Sequence, residues 1–266
     1  MKTIAIIGAG TLGKIIAEGV CSGAAGAWKL LGLTDCDEAG GRASAQKYRC
    51  AFYVDVPSLL AARPDVVIEA ATAAVLKQWA GTILEHGVDM IALSAGALAD
   101  DSFKELVEKA CRASGAKLHI PSGAVGGFDL LSAARFAGDY SLVIRNLKPP
   151  EGLEGAPGLA GTQLSATEKQ LVFRGTPAEA IAAFPKNVNV AVATAAVACV
   201  EDVQVEVWSV PGLKLNTHEI CLHGEFGEAV LSIASAPSKL NPRSSALAGH
   251  SVLALLKKMD SPIQFE

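Results

Sequence analysis

Gly8-Ala9-Gly10-Thr11-Leu12-Gly13 stands between an apolar run at 3–7 and a helical pattern at 12–20. In a strand–turn–helix setting this spacing suits a dinucleotide. Gly8 permits the tight turn, Gly10 lets the backbone approach a pyrophosphate, and Gly13 lets the helix pack closely on the strand. The helix start at Thr11 and Leu12 adds free N–H groups and a partial positive charge for the phosphates. Asp35 ends the second predicted strand, roughly 20 residues beyond Gly13, where a carboxylate would take the ribose hydroxyls of NAD. The same charge repels a 2′-phosphate, and the next basic residue, Arg42, is not evidently placed to rescue it. The expected cofactor is therefore NAD, with NADP as the second option.

Two further groups fall at carboxyl ends of predicted strands, where ligands bind in open α/β sheets. Ala70-Ala71-Thr72 follows the fourth strand and Ser94-Ala95-Gly96 the fifth. Both are expected to line the nicotinamide side. The segment Ile120-Pro121-Ser122-Gly123-Ala124-Val125-Gly126-Gly127 is rich in small residues. It can present backbone N–H groups to a carboxylate or a carboxamide, and it can equally serve as a hinge.

Oxidising an amine needs a base, and imidazole titrates in the useful range. Of the five histidines, His86 precedes a glycine at a helix end and reads as a cap. His119, His223 and His250 lie in or at the ends of other elements. His218 lies within a strand pattern, on the same face as Asn216, Ile220 and Leu222 by alternation. It could take an amine proton, position a carboxylate or activate water. An acidic substrate also needs a cation, for which Lys186 comes first, with Arg145, Arg174 and Arg243 behind it. Asn187 suits a helix N-cap, and Asn189 falls in the first turn of that helix.

These residues require a frame. Strand patterns at 3–7, 29–34, 51–53, 65–69, 90–94 and 117–120 alternate with helical patterns at 12–20, 40–47, 56–62, 73–86 and 101–114. That rhythm predicts βαβ units on a parallel sheet, with strands buried on both faces. Beyond Pro121 the rhythm changes. Helices are expected at 126–136, 177–183 and 188–200, strands at 141–147 and 170–174, and a loop at 149–161. Three consecutive strands at 203–210, 213–222 and 227–234 predict antiparallel pairing. The reading is an α/β chain. A Rossmann domain with a doubly wound parallel sheet spans 1–120. An α+β domain with a mainly antiparallel sheet spans 121–242 and carries substrate binding, catalysis and dimerisation. A last helix within 243–266 is expected to pack back onto the first domain.

Bulk properties narrow the class. The 266 residues are 50% hydrophobic, enough for substantial cores, and a net charge of −4 lacks the basic footprint of a nucleic-acid partner. The six cysteines form no CxxC pair or tight cluster, so no metal site is expected. They read as reduced, mostly buried residues of an intracellular protein. The opening apolar run stops at Gly8, too soon for a signal peptide, and the run at 188–200 is too short to span a membrane. A cytoplasmic protein with no membrane partner follows.

Taken together, the glycine loop, the 121–127 segment, Phe184-Pro185-Lys186-Asn187-Val188-Asn189-Val190-Ala191, Asn216-Thr217-His218-Glu219-Ile220 and Asn241-Pro242 resemble the L-aspartate dehydrogenase family in order and along essentially the whole chain. The resemblance implies oxidation of L-aspartate by NAD or NADP to iminosuccinate. That product hydrolyses to oxaloacetate and ammonia, or feeds quinolinate synthesis. The resemblance also implies a homodimer, cofactor contacts at Ala124 and Asn189, and an active-site histidine at His218. Asp35 sits uneasily with dual cofactor use. The rival readings are an oxidoreductase of the homoserine dehydrogenase or dihydrodipicolinate reductase type, and a non-catalytic NAD(H)-sensing module.

Overall fold

The computed structural model describes residues 1–185, 189–200, 202–236 and 245–264. It falls into two compact units, Met1–Gly123 with Ala246–Glu266, and Ala124–Ser245.

The first unit holds strands β1 (Lys2–Ile7), β2 (Trp28–Thr34), β3 (Ala51–Phe52), β4 (Val66–Glu69), β5 (Asp89–Ala92) and β6 (Leu118–His119). All pair in parallel, in the order β3-β2-β1-β4-β5-β6. This is the Rossmann order, with its topological switch between β1 and β4. Helices α1 (Thr11–Cys21), α2 (Glu38–Tyr48), α3 (Val56–Ala61), α4 (Ala73–Glu85) and α5 (Asp101–Ser114) cover the sheet. Successive strand residues feed opposite layers. Ile4, Ile6 and Ile68 pack with Ile16 and Val20, whereas Ala5, Ile7 and Val67 pack with Leu76, Ile83 and Phe103. Two-sided burial is why these strands show no apolar–polar alternation. The last helix, Ala246–Asp260, lies along α1. A Cβ at Gly249 would press on Ile15, so glycine permits the approach. The Trp28 indole N–H donates to the Leu256 carbonyl at 2.9 Å.

The second unit contains β7 (Tyr140–Lys148), β8 (Gln170–Gly175), β9 (Val203–Ser209), β10 (Asn216–Gly224) and β11 (Gly227–Ser235) in the order β11-β10-β7-β9-β8. Its helices are α6 (Phe128–Ala134), α7 (Pro150–Leu153), α8 (Pro177–Ala183) and α9 (Asn189–Ala198). Every pair is antiparallel except β7–β9, which is parallel. One sheet face meets the helices through Leu142, Ile144, Val205, Val207 and Ile220 against Leu131, Phe184 and Ala191.

Four expectations need correction. β9 is not beside β10, because β7 is inserted between them. The strand expected at 213–222 runs Asn216–Gly224, since the turn at Pro211-Gly212, with Gly212 at φ +76°, takes up Leu213. The helix expected at 126–136 is trimmed to Phe128–Ala134, with Gly127 at φ +77° outside it. The cysteines are not core residues. All six are free thiols, with Cys21, Cys36 and Cys199 exposed and the other three half-buried. The 149–161 loop also contains one helical turn, Pro150–Leu153, opened by a proline whose missing N–H is harmless there.

Candidate active site

The glycine loop has the shape its spacing predicts. Gly8 sits at φ +103°, where an added Cβ would lie 2.7 Å from the Ala70 carbonyl oxygen. A Cβ on Gly13 would run into the Gly8 carbonyl, while one on Gly10 would meet nothing within 4 Å. The loop is thus packed below and open above. Gly10 is the N-cap of α1 and brings no side-chain cap, so the amides of the first turn, at Thr11, Leu12 and Gly13, stay available to an anion. Asp35 Oδ2 accepts from the Ala9 N–H at 2.5 Å, and its Oδ1 accepts from the Asp37 N–H at 2.8 Å. The carboxylate therefore braces the loop against the end of β2. Arg42 is engaged elsewhere, 2.7 Å from Glu38 and stacked over Phe52. An open, amide-lined cradle with one carboxylate at its rim fits NAD.

Ala71 and Ser94 converge on Glu69, a fully buried carboxylate, while Ala70 and Thr72 follow it in the loop after β4. Glu69 accepts from the Ala71 N–H at 2.8 Å, the Ser94 N–H at 3.0 Å and the Ser94 hydroxyl at 2.8 Å. Burial pushes its carboxyl pKa upward, and these donors pull against that rise. Ser94 thus turns its hydroxyl inward to Glu69, and Thr72 uses its own to cap α4 at Val75. Glu69→Gln places an NH2 group against donors, and leaving buried donors unmatched costs about 2 kcal/mol. The expected result is a fall in Tm of about 5 °C with a raised KM for NAD, checked by thermal melting and cofactor titration. Ser122 lies half-buried in the loop after β6, where the Gly123 N–H donates to Ser251 Oγ at 3.1 Å.

In the second unit, β7 and β10 run antiparallel with Asn146 opposite His218. Alternation places Asn146 and Lys148 of β7 on the same face as Asn216 and His218 of β10. His218 Nδ1 lies 2.7 Å from Asn146 Oδ1, and Lys148 Nζ donates to Asn216 Oδ1 at 3.0 Å. An amide oxygen only accepts, so Nδ1 carries the imidazole proton and Nε2 keeps its lone pair. Asn146, His218 and Lys148 are 0%, 4% and 6% exposed. Burial, and then the neighbouring Lys148 ammonium, lower the His218 pKa to about 3. Burial lowers that of Lys148 to about 8. Near neutrality His218 is therefore an uncharged acceptor beside a buried cation. Asn146 Nδ2, also buried, has no hydrogen-bond partner among the described residues.

Two of the arginines named as carboxylate ligands, Arg145 and Arg174, lie on the other face. Arg145 and Arg174 both bind Glu206, at 3.1 and 3.0 Å, and Arg145 also approaches Glu219 at 3.5 Å. Alternation along β7 turns Arg145 away from Asn146, so the expectation is withdrawn for Arg145 and Arg174. Lys186, Asn187 and Arg243 lie outside the described residues. Asn189 is the first residue of α9, and Ala124 is buried. Sequence reasoning missed Glu69, Asn146 and Lys148. The signal for the last two was present in the alternation of Leu142, Ile144, Asn146 and Lys148, but the strand was ended at Leu147.

A Rossmann sheet carrying a complete dinucleotide fingerprint, joined in one chain to an α+β unit with a buried histidine–lysine pair, defines an NAD-linked dehydrogenase. Residues 8–121 match the family model described as homoserine dehydrogenase, NAD binding domain, and residues 129–259 match that of aspartate dehydrogenase, C-terminal. The L-aspartate dehydrogenase of Methanospirillum hungatei is 36% identical over 99% of this chain and 98% of its own. L-aspartate dehydrogenase 2 of Bordetella pertussis is 37% identical over 96% of each. The crystal structure of aspartate dehydrogenase from Thermotoga maritima is 27% identical and covers both chains fully, with a TM-score of 0.78. The chain belongs to the L-aspartate dehydrogenase family. The homoserine dehydrogenase model matches the nucleotide-binding part, residues 8–121.

Proposed function

We propose that the protein oxidises L-aspartate to iminosuccinate with NAD and catalyses the reverse reductive amination. The observation that carries the chemistry is the buried, neutral His218, whose Nδ1 contact with Asn146 leaves Nε2 as the acceptor nitrogen. When bound at the glycine loop, NAD would supply the acceptor for the hydride lost from Cα. The chain's task is to remove a proton from the substrate ammonium, so that the nitrogen lone pair can form the C=N bond as that hydride departs. His218 Nε2 receives this proton. In the ligand-free protein it is a weak base, but the carboxylates of a bound dicarboxylate add negative charge that favours the imidazolium. Iminosuccinate then hydrolyses to oxaloacetate and ammonia.

Gly8, Gly10, Thr11, Leu12, Gly13 and Asp35 hold the dinucleotide. Ala70, Ala71, Thr72, Ser94, Ala124 and Asn189 complete its contacts, and Ser122 and Asn216 serve the substrate. The reading extends to a homodimer, as the family resemblance implies, and to the cytoplasm, as the short apolar runs at 3–7 and 188–200 suggest. No helix among the described residues is long and apolar enough to cross a membrane.

The test mixes the protein with NAD at alkaline pH and follows reduced nicotinamide, with L-aspartate, D-aspartate, L-glutamate and L-homoserine in parallel. Reduction with L-aspartate alone is expected. Turnover of L-homoserine without L-aspartate would overturn the substrate, and NADH binding with no turnover of any amino acid would favour a sensing module.

A further inference from the structure

We propose that Lys148 is the cation that receives a carboxylate of the substrate and makes this site select an acidic amino acid. The proposal rests on the aspartate reading and adds to it the residue that recognises the charge.

Three observations carry it. First, Lys148 is buried yet makes no ion pair among the described residues, and its one hydrogen bond goes to a neutral amide oxygen, Asn216 Oδ1. An ammonium has three donors, so two are left for another partner. A buried charge without a counter-charge is unfavourable, and an apolar residue of similar volume would serve the fold better. Second, Lys148 shares its sheet face with His218, so an anion seated on it lies beside the group that takes the amine proton. Third, Asn146 Nδ2 on the same face is a buried donor lacking an acceptor among the described residues. A carboxylate, with two oxygens and about four lone-pair sites, supplies what both groups lack. Arg145 and Arg174 are committed to Glu206 on the far face.

Binding also has an electrostatic consequence. The Lys148 ammonium is one of the two causes that depress the His218 pKa. A carboxylate on Lys148 cancels that charge, so seating the substrate strengthens its own base.

The experiment uses the full chain with NADH bound and titrates succinate, a dicarboxylate without an amine, by NADH fluorescence. Lys148→Met is expected to raise the Kd for succinate and the KM for L-aspartate about 50-fold, the scale of a lost charge-assisted contact. NADH affinity should be unchanged and the ligand-free Tm not lowered. Lys148→Arg should recover part of the loss. In the native protein succinate binding should weaken as pH rises through about 8, where Lys148 loses its proton, and this dependence should vanish in Lys148→Met. Succinate affinity within threefold of native in Lys148→Met would overturn the proposal. If that variant does not fold, succinate binding by the native protein that stays flat from pH 7 to 9.5 would overturn it instead. A native protein that neither oxidises L-aspartate nor binds succinate would remove the aspartate reading itself, whereas one that oxidises L-aspartate while Lys148→Met keeps its KM would remove only Lys148.

Discussion

His218→Ala is expected to lower kcat for L-aspartate about 10³-fold, within the range assigned to a positioned proton acceptor. The Kd for NADH should change less than twofold, because His218 is not among the residues proposed to hold the dinucleotide. The substitution removes the acceptor and strands Asn146 Oδ1, which pairs with the imidazole at 2.7 Å. Some loss of stability should accompany it, so turnover is compared at a temperature where circular dichroism shows the variant folded. A variant that is folded, binds NADH and turns over at near-native rate would refute the role of His218. The same substitution has a second readout. Folding holds the His218 pKa near 3, below the usual histidine range. Between the two values the unfolded chain binds a proton that the folded chain does not, so stability falls as pH drops from about 6.5. Removing the imidazole should flatten that limb of the acid-unfolding curve.

Asp35→Ser is expected to reduce the preference for NAD over NADP, as the ratio of kcat/KM values, by about 10³-fold. Two effects add. NAD loses carboxylate hydrogen bonds to its ribose, each worth about 1.5–3 kcal/mol when one partner is charged. NADP loses the repulsion between that carboxylate and its 2′-phosphate. Part of the NAD loss will come from the loop itself, since Asp35 also accepts from Ala9 and Asp37. That part weakens both cofactors alike and cancels in the ratio. Steady-state kinetics with each cofactor decides the matter, and an unchanged ratio would show that Asp35 only braces the loop. Arg42, paired with Glu38 and stacked on Phe52, offers the 2′-phosphate little in the native chain.

The nucleotide-binding unit was largely legible because its signals are local. A strand, a glycine turn and a helix start lie within a dozen residues, and their order along one segment is enough to show the motif. Glu69 was not legible as a clamp. Its partners Ala71 and Ser94 sit on two different loops, and only the pairing of β4 with β5 brings them to one carboxylate. In the second unit His218 and Asn216 could be paired, being two residues apart on one strand. Asn146 and Lys148 could not, because their strand joins β10 across some 70 residues of chain. The choice of Arg145 shows the same limit. A single-residue difference in strand phase separates a group facing His218 from one facing Glu206.

The central place of β7 bears on how this unit folds. β7 meets β10 on one side and, through a parallel pairing, β9 on the other, both reached only after β8, α8 and α9 have been laid down. Such distant pairings are slow to form, because chain entropy must be surrendered before any contact rewards it. The β10–β11 hairpin can close early, yet it carries only Asn216 and His218. During synthesis the histidine therefore emerges long after the lysine and asparagine that surround it, and a chain released before residue 218 contains half a site. Chemical competence arrives with the last long-range docking of the sheet, not with any single hairpin.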